Sequence, residues 1–129
     1  MNIKQIILDD TSEALDVKIS RILKECGVSP HLKGYSYLRE CIYSVVLDRN
    51  ALDCMCKRLL PYIASTKNTT FIAMERCMRH AIHYAWNNAK IVKSDILDKT
   101  FKYGKRSGVP TIQEFIANIT DEICQYFVV

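Results

Sequence analysis

Between residues 68 and 88 the hydrophobic and polar positions repeat with the period of a helix. At about 100° per residue, Met74, Cys77, Met78, Ala81, Ile82 and Ala85 fall on one side, while Ile72, Arg76, Arg79, His83 and Asn87 fall on the other. Glu75 and His80 flank the polar stripe. Thr69 and Thr70 precede it, and a threonine oxygen can accept a hydrogen bond from an unpaired N–H of the first turn, so this helix is expected to start near Phe71. Upstream, Leu52, Met55, Cys56, Leu59, Leu60 and Ile63 mark a second amphipathic helix over 51–66. Two helices joined by so short a link must cross sharply, which predicts a helix-turn-helix over 51–88. Ala64 is small where the helices approach, and Ile63, Met74 and Cys77 are apolar where they pack. Asn68 stands where glycine is favoured but tolerates the left-handed conformation.

The remaining pattern predicts further helices and no strand. Residues 1–10 read as a tail. Leu15, Ile19, Ile22, Leu23 and Cys26 form a stripe that starts after Thr11 or Ser12 and ends at Gly27. Pro30 forbids continuation, Gly34 frees the backbone for the next start, and a helix over 35–49 turns Leu38, Ile42, Val45 and Val46 inward. Pro61 is expected to bend the 51–66 helix or to leave a carbonyl unpaired. Ser94 or Asp95 caps a short helix through Phe101, and the loop KYGKRSGVPT follows. Thr111 with Glu114 makes a capping box for a final helix through Phe115, Ile116, Ile119, Ile123 and Phe127. The expectation is one compact all-α domain of six helices covering residues 1–129.

Composition changes the picture in two places. The chain is 49% hydrophobic over 129 residues, enough for a single core, with no apolar run long enough to span a membrane and no secretory signal pattern, which points to the cytoplasm. Six cysteines without that signal read as reduced thiols in the core rather than as a disulfide framework. The Cys54-x-Cys56 pair lacks a second pair to complete a zinc site, and His80 with His83 lacks a third ligand, so neither metal nor cofactor is expected. The net charge of +4 is unevenly spread: residues 57–106 carry eleven Lys and Arg against three acids, while residues 107–129 carry no base and three acids. Because phosphate neutralisation supplies much of the affinity for DNA, this concentration favours a nucleic-acid face.

Four separated motifs sharpen the reading: HLKGYSYLRE (31–40), KRLLPYIA (57–64), MERCMRHAIHYAW (74–86) and PTIQEFIA (110–117). In this order they resemble the C-terminal effector domain of the sporulation master regulator family, stage-zero sporulation protein A, over about 17–126. The resemblance implies an all-helical DNA-binding domain of spore-forming Gram-positive bacteria, with the helix from Phe71 as recognition helix in the major groove. In the family a Glu-Arg pair and a following Arg-His pair lie at or near the DNA and match Glu75, Arg76, Arg79 and His80, which makes Glu75, Arg76 and Arg79 the candidates for base contacts. Two departures stand out. Ala73 replaces an arginine usual in the family, and 129 residues leave no room for the receiver domain with which full regulators begin.

Arginine suits base reading because its fork donates two bonds to the O6 and N7 of guanine, and glutamate can accept from cytosine or hold a neighbouring arginine. Lys67, Asn68, Thr69 and Thr70 at the start of the helix, His80, and Lys102, Lys105 and Arg106 in the basic loop are the candidates for backbone contacts. For each there is a plainer role: a solvated face for the arginines and the basic loop, capping for the threonines, core packing for Trp86. No nucleophile, acid and base are visibly coupled, so no enzyme is expected. The reading is therefore a sequence-specific regulator of double-stranded DNA, with RNA polymerase and a second copy or a related full-length regulator as further partners. The competing reading is an interaction module that modulates a full-length regulator without reading DNA strongly. Ala73 favours it, and the arginine pair opposes it.

Overall fold

A computed structural model describes residue 7 and residues 14–88 and 109–126 of the chain. Among these residues every regular element is helical: α1 (Leu15–Glu25), α2 (Lys33–Leu47), α3 (Leu60–Thr66), α4 (Phe71–Asn87) and α5 (Ile112–Tyr126), with a 3-10 turn at Arg49–Leu52 and a π turn at Met55–Leu59 between α2 and α3. The expected caps Thr11 and Ser12, the short helix ending at Phe101, the basic residues Lys102, Lys105 and Arg106, and Phe127 lie outside the described residues.

α2 is the centre of the packing and touches α1, α4 and α5, with α4 as its closest partner. Its inner face buries Leu38, Ile42, Val45 and Val46 as the periodicity predicts, together with Tyr35 and Cys41. The helix starts two residues earlier than expected, so Gly34 is not a free hinge before α2 but part of it. A Cβ at Gly34 would sit 2.2 Å from the Cys77 carbonyl oxygen and 2.7 Å from the Ala81 Cβ of α4. Glycine is required there because the two helix backbones meet with no room for a side chain.

α1 ends in a left-handed turn of the kind expected at Gly27, whose φ is 91°. The Gly27 N–H donates to Lys24 O and the Val28 N–H to Leu23 O, both at 3.0 Å, and the side chains of Leu23 and Val28 are both buried. At its other end Ala14 precedes the first helical residue without a side-chain cap. Lys18 is buried and donates from Nζ to the Ile7 carbonyl at 2.6 Å, so a charged group that reads as surface is satisfied inside.

The expected continuous helix over 51–66 is broken. Asp48 caps the 3-10 turn by accepting from the Asn50 N–H at 3.1 Å. In the π turn the Leu59 N–H reaches back five residues to Cys54 O at 3.2 Å. The cause is Pro61, which lies in the first turn of α3. In an unbroken α-helix its ring would press on the Lys57 carbonyl, and widening the preceding turn removes that conflict. The extra residue in the turn shifts the phase, and Cys56, which the period places on the apolar side, is exposed.

The other cysteines divide similarly. All six are free thiols, with Cys26 and Cys41 buried and Cys54, Cys77 and Cys124 half-buried. Burial, aided by the charge of Glu40, pushes the Cys41 thiol up to about 12, so it remains protonated and inert. The capping box at α5 forms as expected: the Glu114 N–H donates to Thr111 Oγ1 and the Thr111 N–H to Glu114 Oε1, each at 3.1 Å. Phe115, Ile116, Ile119 and Ile123 are buried beneath it.

Candidate nucleic-acid interface

The turn between α3 and α4 repeats the backbone device that ends α1. Asn68 adopts φ 57°, its N–H donates to Ser65 O, and the Thr69 N–H donates to Ala64 O at 2.9 Å. Asparagine is suited to this position because its short polar side chain lowers the cost of the left-handed region. Thr70 then turns extended and accepts from the Ala73 N–H at 3.1 Å, which fixes Phe71 as the first residue of α4. Thr69 therefore spends its amide closing the turn, and Thr70 is the cap. Among the described residues neither the cap nor the turn engages the N–H groups of Phe71 and Ile72, which leaves these donors at the positive end of the helix for an anion.

From that start the helical period sets the two faces. Met74, Met78, Ala81, Ile82 and Ala85 are buried against α2, and Trp86 packs at the edge of the core. Arg76, Arg79, His80 and His83 are exposed and line one shallow concavity on the opposite side. Arg76 and Arg79, two of the three predicted base-reading residues, are thus brought together on a single face with His80 and His83.

Within it Glu75 and Arg79 form an ion pair one turn apart. Glu75 is the less exposed partner, which makes it the anchor and Arg79 the group held. With glutamate on the N-terminal side the pair also runs in the favourable direction along the helix. Of the two roles open to Glu75, orienting an arginine is the one visible here. Arg76 is exposed and makes no ion pair among the described residues, which leaves the donors of its guanidinium fork available to a partner.

Lys67 is placed differently from a free cation. Its Nζ lies 3.3 Å from Glu40 Oε1, tying the turn to α2. Both side chains are more than a third exposed, and such a pair contributes about 0–1 kcal/mol, weak enough for a phosphate to compete for the lysine. Two features escaped the sequence reading. Gly34 and the Lys67–Glu40 pair act across the fold, where no spacing along the chain reveals them. Ile72 was visible on the polar stripe, and its exposure of 68% makes it part of the outward face.

Three properties define the class of protein: an all-helical domain, a helix seated firmly by its apolar side, and arginines presented from its other side beside an open helix N-terminus. This is the architecture of a helical DNA-binding effector domain. Residues 19–123 match the model of the family described as Sporulation initiation factor Spo0A C terminal, and the chain belongs to that family. The match runs across α1 to α5, so the helices that carry the outward face and those that support it belong to one family domain. Among the described residues no helix is long and apolar enough to cross a membrane.

Proposed function

We propose that the chain is a sequence-specific regulator of transcription that binds double-stranded DNA through a helix-turn-helix formed by α3 and α4. In this reading α4 enters the major groove, Arg76 reads a guanine with both arms of its fork, and Arg79 reads a second base from the position in which Glu75 holds it. Asn68, Thr69 and Thr70 fix the register on the backbone, with the open amides of Phe71 and Ile72 facing a phosphate. Lys67 leaves Glu40 to join them. His80, farther along the same face, contacts the backbone, as do Lys102, Lys105 and Arg106.

The observation that carries the reading is the exposed Arg76, unpaired among the described residues, beside the oriented Arg79 on one face of a helix whose other face buries Met74, Met78, Ala81, Ile82 and Ala85. The basic charge gathered in residues 57–106 supports it as the source of sequence-independent affinity. The protein acts without catalysis, in the cytoplasm, and regulates promoters by contact with RNA polymerase, a second copy bound alongside, or both.

Fluorescence-anisotropy titration of a duplex carrying the family's TGTCGAA-type box, against a scrambled duplex at two salt concentrations, tests this directly. The expected result is a preference for one ordered sequence, with affinity for both duplexes falling as salt rises. Because Ala73 stands where the family carries an arginine, a random-sequence selection accompanies the titration. Failure to enrich any sequence would remove the base-reading function.

A further inference from the structure

Ile72 is one of the two most exposed large apolar residues among those described, and it belongs to the DNA-facing stripe rather than to the buried side of α4. It lies in the first turn, one turn before Arg76, where nothing about the helix favours it. A β-branched residue there has below-average helix propensity, the positive helix end is best served by an acid, and the first turn of α4 holds none. Its neighbour Ala73 is also apolar and only partly buried. The stripe therefore has two chemically distinct ends: Ile72 and Ala73 at the start, then Glu75, Arg76, Arg79 and His80.

In the major groove the apolar group that a base pair of ordinary DNA displays is the C5-methyl of thymine. We infer that Ile72 is a specificity residue that selects thymine by packing against this methyl group. The inference rests on the major-groove reading of α4 given above. Four residues along a helix advance about 6 Å, close to two base-pair steps, so the selected thymine lies about two pairs from the guanine read by Arg76. The loss of an arginine at Ala73 is then part of a changed preference, in which a methyl contact stands beside a site with one cationic contact fewer.

Replacing thymine with uracil removes only the methyl group and leaves base pairing intact. The experiment first selects a duplex from a random library with the wild-type chain. Each thymine of the selected site is then replaced singly by uracil, and binding is measured for the wild type and for Ile72→Ala. One position is expected to lose about fourfold in wild-type affinity, the worth of one buried methyl, and to lose nothing further in Ile72→Ala. Because Ile72 is exposed, this variant keeps the fold, and its far-UV circular dichroism is expected to match the wild type.

A wild type that selects a clear consensus yet tolerates uracil at every position overturns the inference and leaves the proposed function intact. A uracil penalty of the same size in Ile72→Ala overturns the assignment to this residue. Absence of any consensus overturns the function and the inference together.

Discussion

The inner and outer faces of α4 share one backbone and differ in what fixes their residues. Met74, Met78, Ala81, Ile82 and Ala85 are held by contact with α2 at a crossing so close that only glycine fits at position 34. Arg76, Arg79, His80 and His83 face solvent, and among the described residues a single ion pair, Glu75–Arg79, constrains them. A helix used to read another molecule needs this division, because the buried side sets where the exposed side points. The difference teaches that substitutions on the two sides should separate cleanly into stability and recognition.

The largest effects belong to the inner face. Gly34→Val drives a side chain into the Cys77 carbonyl and forces α2 and α4 apart, at a cost of about 3 kcal/mol or more, read as a lower urea midpoint. Met78→Ala leaves a cavity beneath α4, and about 2–5 kcal/mol is expected in the same measurement. If either variant kept wild-type stability while losing sequence preference, the division between the faces would fail.

Arg76→Ala sharpens the comparison from the other side. Its unfolding midpoint should match the wild type, while discrimination against the wrong base pair falls by about 1–3 kcal/mol in competition titrations. Equal losses on specific and scrambled duplexes would reduce Arg76 to a phosphate contact. Glu75→Gln comes next. It releases Arg79, costs about 0.3–0.5 kcal/mol of stability, and lowers specific binding more than nonspecific binding. The smallest change in stability is Asn68→Gly, which relieves the left-handed turn and should leave stability within about 0.5 kcal/mol of wild type, while loss of its backbone contact lowers affinity for specific and scrambled duplexes alike.

Much of this arrangement was legible along the chain because it is local. The period of α4 separates its faces, Thr70 and the Thr111–Glu114 box announce helix starts, and Asn68 and Gly27 mark left-handed turns. What stayed hidden depends on distant neighbours. Gly34 looks like a loop residue until α4 lies across it, Lys18 looks exposed until the Ile7 carbonyl meets it, and Lys67 looks free until Glu40 approaches. The broken 51–66 helix is an intermediate case. Pro61 gave the warning, but relief by a π turn and the rotation of Cys56 to the surface depend on how the widened turn packs.

For the site, the same contrast holds. Glutamate at position 75 could accept from cytosine or hold a neighbouring arginine, and the choice between these roles required the ion pair with Arg79 and the relative exposure of the two side chains. Ile72 could be placed on the stripe by its period, but its significance depended on its protrusion there.

The most direct test of the central claim, that the outer face of α4 reads base edges, pairs Arg76→Ala with 7-deazaguanine, which lacks the N7 acceptor, at each guanine of a selected duplex. The account predicts one guanine at which loss of N7 weakens the wild type but has no further effect on Arg76→Ala. Independent, additive losses at every guanine would contradict it.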